Sequence, residues 1–154
     1  MTMSDLVKTP TFDLTLSRTI DATAEDVFDA WTDPDLFGRW FGVSRLIMNP
    51  VVDGLYFMET PFEGRQWPHY GRFVTIDRPR RLELTWVSEG TRGRESILTI
   101  ALAPRDRRTE LTLTHSGLPD DELGRSHEEG WKQILAEVAG WVESGKKKPA
   151  AAKR

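Results

Sequence analysis

The sequence contains no cysteine. Without thiols the chain can form neither disulfides nor thiolate metal sites, and it has no cysteine nucleophile. Such a composition fits a reducing compartment. Histidine is scarce too, with three residues in the chain, and no two of them stand at a spacing typical of metal ligands. The sequence therefore predicts no metal site and no thiol chemistry.

Long apolar runs and an excess of positive charge are also missing. No apolar stretch approaches the length of about 20 residues that a membrane-spanning helix needs. Residues 1–10 lack the basic start and apolar centre of a signal peptide. The formal net charge of -3 argues against a general nucleic-acid binder, whose domain is usually basic. We therefore expect a soluble, cytoplasmic protein with no membrane span and no nucleic-acid partner.

Several enzyme motifs are absent as well. The chain has no Gly-x-Ser-x-Gly nucleophile elbow, no Walker-type phosphate loop and no Gly-x-Gly-x-x-Gly dinucleotide motif. The sequence thus predicts no cofactor and identifies no catalytic residue. It favours a non-catalytic protein, while an enzyme stays open as an alternative.

A long amphipathic helix is predicted near the C-terminus, from Leu123 to Ser144. Its apolar residues and His127 fall within about 120° of the helix circumference. The apolar members are Leu123, Trp131, Ile134, Leu135, Val138, Trp141 and Val142. At 1.5 Å per residue the helix would be about 33 Å long. Such a helix needs a sheet against which to bury its apolar stripe.

The residues before this helix predict mainly strands. Residues 12–20 alternate between apolar and polar, and two short helices follow, capped by Thr23 and Asp33. Six strand-like runs come next, separated by turn signals such as Asp53-Gly54. They are Arg45 to Val52, Leu55 to Thr60, His69 to Asp77, Leu82 to Ser88, Glu95 to Ala103, and Thr109 to Ser116. Their apolar and threonine-rich faces predict an antiparallel sheet covered on one side.

The same patterns divide the chain into three parts. Residues 1–11 have no clear periodicity and predict a flexible N-terminus. Residues 12–145 predict one α+β domain, in keeping with the length of 154 residues. Residues 146–154 are rich in lysine and predict a basic, disordered tail.

Several segments of the chain resemble, in order and spacing, parts of START-like (SRPBCC) domains. They are Arg18 to Ala22, Val27 to Pro34, Arg39 to Phe41, Pro79 to Trp86, Thr114 to Pro119, and His127 to Trp131. The chain most resembles the family of activator of heat-shock protein 90 ATPase homologues. The resemblance implies a helix-grip fold, a curved antiparallel sheet of about six to seven strands wrapped around a long C-terminal helix. It also implies two short helices after the first strand and an apolar cavity between sheet and last helix.

Six tryptophans and a few polar residues on inward faces are typical of the walls of a small-molecule site. The predicted cavity residues are Arg18, Tyr56, Phe73, Trp86, Ser96, His115, His127, Trp131 and Leu135. His115 and His127 either bond locally, with His127 capping the helix start, or orient the polar end of a ligand. Arg18 either extends its head from the sheet edge or pairs inside with a carboxylate such as Glu95.

Two predicted hairpin turns are rich in arginine. One carries Arg78, Arg80 and Arg81, and the other carries Arg105, Arg107 and Arg108. Because alternate turns of a meander lie at the same end of a sheet, the six can form one patch. They are either solvated turn residues, diluted by Asp77 and Asp106, or a docking surface for an acidic protein or a phosphate group.

Three functions are compatible with these features. The favoured one is binding of a hydrophobic, aromatic or lipid-like small molecule in the cavity between the sheet and the C-terminal helix. The second is a protein-interaction module related to the heat-shock protein 90 activator, with a chaperone as partner. The third is a cyclase- or hydrolase-like enzyme with His115 or His127 as acid or base. The sequence specifies no ligand, and it is compatible with a monomer and with a homodimer.

Overall fold

The computed structural model describes residues 10–145, which form a seven-stranded sheet with helices on one face. The expectations for residues 1–9 and for the tail 146–154 lie outside the described residues. In chain order the elements are β1 (Thr11–Ile20), α1 (Ala24–Thr32), α2 (Pro34–Trp40), β2 (Arg45–Met48), β3 (Leu55–Phe62), β4 (Arg65–Asp77), β5 (Arg81–Ser88), a 3₁₀ turn (Glu89–Thr91), β6 (Ser96–Arg105), β7 (Arg108–Pro119), α3 (Glu122–Arg125) and α4 (His127–Glu143).

The sheet is antiparallel throughout, with the strand order β1-β7-β6-β5-β4-β3-β2. Consecutive strands are neighbours from β2 to β7, as a meander predicts. The first strand joins the far side of β7, where Leu14 faces His115. The predicted antiparallel sheet, the two short helices and the helix-grip architecture are confirmed.

Capping side chains fix the two helices that follow β1. The Thr23 hydroxyl accepts from the Asp26 N–H at 3.2 Å, and the Asp33 carboxylate accepts from the Asp35 N–H at 2.9 Å. These bonds satisfy backbone donors that a helix start leaves free. The indole N–H of Trp40 then donates to the Ala30 carbonyl at 2.7 Å, which holds α2 against α1.

The predicted single helix from Leu123 to Ser144 is wrong at its start, because the chain forms two helices that break at Ser126. The Ser126 hydroxyl donates to the Leu123 carbonyl at 2.6 Å. Nδ1 of His127 lies 3.0 Å from the Gly124 carbonyl. These side chains bond to backbone carbonyls. In a continuous helix the same carbonyls would accept hydrogen bonds from backbone N–H groups one turn later. Leu123 is consequently 46% exposed and does not join the buried stripe.

Helix α4 keeps the rest of the predicted stripe. It buries Trp131, Leu135, Val138, Ala139 and Val142. These side chains belong to one core cluster with the inner faces of the strands and with α1 and α2. Burying a large apolar side chain contributes about 1.5–3 kcal/mol, so the last helix is a main source of the stability of this core.

Candidate functional site

A small apolar cavity lies between the sheet and the first two helices. Its lining residues come from α1, α2, the loop after α2, and strands β2 to β6. They are Trp31, Phe37, Phe41, Leu46, Met48, Tyr56, Met58, Phe73, Leu82, Leu84, Trp86 and Leu98. Tyr56, Phe73 and Trp86 were predicted from the sequence. This lining contains no residue of α4, and the cavity lies beneath α1 and α2.

The cavity is small, with a volume of about 20 Å³. That is room for about one water molecule, against about 300–1,000 Å³ in typical ligand pockets. Two of the lining rings pack on Trp131 of α4, which lies outside the lining: the ring centroids of Trp86 and Trp131 are 5.1 Å apart. Those of Trp131 and Phe41 are 6.4 Å apart. A larger guest can therefore enter only if lining side chains move.

One side of the cavity is more exposed to solvent than the rest. Phe41, Leu46 and Met48 are partly exposed, whereas the other lining residues are buried. Leu46 and Met48 belong to β2, a short strand at the edge of the sheet. Methionine is unbranched and adapts readily to a changed space. We refer to Phe41, Leu46 and Met48 as the entrance wall.

Two buried indole N–H groups of the cavity lining have no hydrogen-bond acceptor within residues 10–145. They belong to Trp31 and Trp86, which are 3% and 4% exposed. By contrast, Trp40 donates to Ala30 and Trp67 donates to Phe62. A buried donor without an acceptor costs about 1–3 kcal/mol. An acceptor that reached either N–H would therefore remove this cost.

A chain of hydrogen bonds connects α4 to the sheet beside the cavity. The indole N–H of Trp131 donates to Nδ1 of His115 at 3.0 Å. Nε2 of His115 lies 2.8 Å from the Ser96 hydroxyl, which itself donates to the Trp86 carbonyl at 2.6 Å. With Nδ1 accepting and the serine proton used, His115 must carry its proton on Nε2. His115 is therefore neutral and fully bonded.

Burial keeps this network uncharged. Desolvation, and to a smaller extent the nearby His127, lowers the pKa of His115 from 6.5 to about 3. The same two causes lower the pKa of His69 from 6.5 to about 4. Burial also lowers the pKa of His127, against hydrogen bonds to the Gly124 and Leu123 carbonyls that raise it. All three imidazoles are therefore neutral at pH 7.

The three histidines, distant in sequence, lie close together in the fold. The ring of His115 is 5.3 Å from that of His127, and the ring of His69 is 5.0 Å from that of Trp86. Within the described part of the chain, no group of histidine and carboxylate side chains has an arrangement that suits a metal ion. Sequence spacing could not reveal this proximity, because the three residues come from β4, β7 and α4.

His127 holds the junction between α3, α4 and the 3₁₀ turn. Its Nδ1 lies within hydrogen-bond distance of the Gly124 and Leu123 carbonyls, so it bonds the end of α3 rather than the start of α4. Its ring packs so tightly on Gly90 that a Cβ there would lie 2.7 Å from the His127 Cε1 atom. Only glycine fits this approach.

The remaining predicted cavity residues lie outside the lining. Ser96, His115, Trp131 and Leu135 are buried in the core. Arg18 is exposed on β1, opposite Leu111, as expected for an arginine whose head extends from the sheet edge.

The strand register separates Arg18 from its suggested partner Glu95. Arg18 is opposite Leu111 of β7. Glu95 precedes Ser96, and the next residue of β6, Ile97, is opposite Ser116. Five residues of strand span about 17 Å. The suggested pair is therefore corrected: Arg18 and Glu95 are at opposite ends of the sheet.

The arginine-rich turns do lie at one end of the sheet, because the Leu102 N–H of β6 donates to the Arg80 carbonyl beside the β4–β5 turn. Acidic neighbours pair half of the arginines. Arg78 binds Asp29 through two bonds of 2.9 and 3.0 Å. Arg81 pairs with Glu83 and Arg105 with Glu110.

Arg80, Arg107 and Arg108 have no carboxylate partner among residues 10–145. All three are exposed. We call these three residues the free arginine set. Of the six arginines in the predicted patch, three therefore lack a carboxylate partner among residues 10–145.

Helices long and apolar enough to cross a membrane are absent from residues 10–145.

Several solved structures share this fold. Protein CV1439 from Chromobacterium violaceum is 27% identical, with a TM-score of 0.72, over 86% of this chain and 98% of that one. SA2116 from Staphylococcus aureus has a TM-score of 0.78 at 13% identity, over 90% and 98% of the two chains. PFC0360w, an HSP90 activator from Plasmodium falciparum, has a TM-score of 0.70 at 22% identity, over 88% and 99%.

The comparison with protein families gives a match, whereas the comparison with curated proteins gives none. No curated protein sequence matches the chain. Residues 21–143 match the family described as Activator of Hsp90 ATPase homolog 1-like protein, a range that runs from the end of β1 to the last residue of α4. The chain therefore belongs to the Activator of Hsp90 ATPase homolog 1-like family.

Proposed function

We propose that the protein binds a small hydrophobic or aromatic molecule in the apolar cavity between the sheet and helices α1 and α2. The observation that carries the proposal is the pair of unsatisfied indole donors, Trp31 and Trp86, in an otherwise apolar lining. Small-molecule sites combine apolar walls with a few fixed polar groups. A guest with an acceptor would remove the cost of those two buried donors.

Binding requires the entrance wall to open. The cavity of about 20 Å³ is a closed state, and Phe41, Leu46 and Met48 are its partly exposed side. Rotation of these side chains would enlarge the space, and none of the three is a hydrogen-bond partner of His115. The closed state lowers the apparent affinity in proportion to the population of the open one.

The chemistry of His115 supports a binding rather than a catalytic role. Both of its ring nitrogens are bonded within the protein, and its pKa of about 3 is far from the neutral range that suits a general base. The enzyme alternative thus has no free imidazole at this position.

The test is calorimetric titration of the full chain with naphthalene and decanoic acid, with and without a blocked entrance. Met48→Trp places an indole in the entrance wall. Ile47→Trp is the matched control, since Ile47 is the preceding residue of β2 and is 66% exposed. We expect the unaltered protein and Ile47→Trp to bind one of the probes, and Met48→Trp to lose at least tenfold in affinity. Equal binding by Met48→Trp, or no binding by the unaltered protein of these probes and of the neutral carbonyl compound acetophenone, would contradict the proposal.

A second candidate is a protein-interaction module whose partner is a heat-shock protein 90. The free arginine set favours it, because three exposed, unpaired guanidinium groups at one end of a sheet suit an acidic surface. The similarity to the Plasmodium falciparum HSP90 activator gives the partner to test first. This candidate does not involve the cavity.

Pull-down of the host's heat-shock protein 90, together with its ATPase rate, tests this candidate. The triple variant Arg80→Ser, Arg107→Ser, Arg108→Ser should lose both binding and stimulation. A charge-matched control replaces Arg39, Arg45 and Lys132, which are exposed at other positions, and should keep both. Equal binding by the two triple variants would exclude the arginine turns as the docking surface.

A further inference from the structure

The two unsatisfied indoles also define which polar group the guest carries. This inference rests on the proposed function, since it concerns the same cavity. Trp31 and Trp86 can only donate, because an indole nitrogen has no lone pair to offer. Both are almost fully buried, at 3% and 4% exposure. Both rings line the cavity, and neither N–H has an acceptor within residues 10–145.

No other lining side chain offers a free proton. Tyr56 is the only other one with a polar hydrogen, and its hydroxyl donates to the Thr85 carbonyl at 2.7 Å. The lining contains no lysine, arginine or histidine and no carboxylate. A charged ligand group would therefore lose its hydration without gaining a counter-ion, which is expensive in an apolar site.

A ligand group that only donates, such as an amine N–H, would face two further donors. A hydroxyl would gain an acceptor role but would have little to which it could give its own proton. A carbonyl or ether oxygen meets neither problem, because it accepts and carries no charge.

We infer that the cavity selects an uncharged apolar molecule whose single polar group is a carbonyl or ether oxygen, received by the indole N–H of Trp31 or Trp86. The apolar body then fills the space opened beside Phe73, Leu84 and Leu98. A hydrocarbon of the same shape binds more weakly, since it leaves both donors unsatisfied. A carboxylate of the same size binds more weakly still.

Matched probes test the inference on the full chain. Acetophenone and α-methylstyrene have nearly the same shape and differ in one carbonyl oxygen against one methylene group, and benzoate adds the charge. We expect acetophenone to bind about fivefold more tightly than α-methylstyrene, the effect of one ordinary hydrogen bond. Benzoate should bind more weakly than both. Acetophenone should move the indole N–H proton resonance of Trp31 or Trp86 further downfield than α-methylstyrene does, because only the ketone accepts a hydrogen bond.

Indole-deleting variants identify the donor. Trp86→Phe and Trp31→Phe each remove one N–H. The variant that lacks the ligand's donor should reduce the ratio of the acetophenone affinity to the α-methylstyrene affinity to about one. Each substitution also enlarges the cavity. Both probes gain this space equally, so it cancels in the ratio of their affinities. Trp67→Phe is the matched control, because its N–H is already bonded to Phe62 and it does not line the cavity. It should leave the ratio unchanged.

The outcomes distinguish failure of the acceptor preference from failure of the proposed binding function. Equal affinity for acetophenone and α-methylstyrene, with both binding, would overturn the acceptor preference and leave the proposed binding function intact. It would also indicate that bound water satisfies the indoles. Tightest binding by benzoate would likewise overturn the preference. Failure of every probe here, and of naphthalene and decanoic acid above, would overturn both proposals.

Discussion

Trp131 of the last helix and His115 of the last strand share a hydrogen bond of 3.0 Å in which the indole is the donor and the imidazole the acceptor. This bond fixes the histidine tautomer and, through Ser96, ties α4 to the two strands that flank the cavity. The polar residues Ser96 and His115, expected from the sequence as ligand contacts, thus bond within the protein. The unsatisfied donors belong instead to Trp31 and Trp86.

Removing the donor of this bond should destabilise the protein. Trp131→Phe leaves Nδ1 of the fully buried His115 without a partner, and we expect a loss of about 1–3 kcal/mol in the free energy of unfolding, measured in urea. Trp141→Phe, on the half-buried part of the same helix, is the control and should lose less. A smaller loss for Trp131→Phe than for Trp141→Phe would contradict the role of the bond.

The network should also behave as a unit. Ser96→Ala removes the hydroxyl that joins His115 to the Trp86 carbonyl. In a double-mutant cycle with Trp131→Phe we expect a coupling of about 0.5–2 kcal/mol, because both changes act on the same imidazole. Nitrogen chemical shifts of His115 should show the proton on Nε2 in the unaltered protein. Additive losses, or a proton on Nδ1, would refute the assigned network.

Stability should fall as the pH decreases from 7 to 5. The folded pKa values of His115 and His69, about 3 and about 4, are below the ordinary 6.5, so in this range only the unfolded chain takes up their protons. The stability that neutral histidine gives is therefore complete above pH 6.5 and is lost below it. Each residue contributes up to about 1.4 kcal/mol per pH unit.

Urea unfolding at pH 7 and pH 5 measures this effect. Carboxylates contribute little here, since their unfolded pKa values lie near 4. The double variant His115→Gln, His69→Gln should be less stable at pH 7 but should change less between the two pH values. An unaltered protein equally stable at both would rule out buried neutral histidines.

Gly90 and His127 should show a steric coupling. In Gly90→Ala the new Cβ would lie 2.7 Å from the imidazole Cε1 atom, and forcing them apart should cost about 1–3 kcal/mol. In a His127→Ser background the same glycine change should cost less than about 0.5 kcal/mol. The measurement is a thermal or urea double-mutant cycle, and an equal cost in both backgrounds would refute the contact.

Alternation and turn residues predicted the architecture because each strand buries one face, and the pattern is local. The hairpin between β3 and β4 was predicted too short, since its pairing continues to Phe62 and Arg65. Its turn, Glu63-Gly64, has positive φ at both residues but lacks the asparagine or aspartate that usually signals such a turn.

The site was less predictable, because it depends on which elements meet. Tyr56, Phe73 and Trp86 could be recognised as cavity residues since all three lie on the inner face of the sheet. Trp31 could not be recognised as a cavity residue with an unsatisfied donor, because its missing acceptor is visible only when its neighbours are known. The convergence of the three histidines likewise required the register of β4, β7 and α4.

Because β1 pairs with β7, the sheet of a newly synthesised chain can be completed only after β7 has been made. The hydroxyls of Thr15 and Thr114 are 3.4 Å apart although 99 positions separate them in the sequence. While the ribosome is still making β7, β1 has no neighbouring strand to receive it. The meander from β2 to β6 can form in the meantime through contacts between consecutive strands. A nascent chain interrupted before β7 would thus display β1 as an unpaired strand, open to association with other chains.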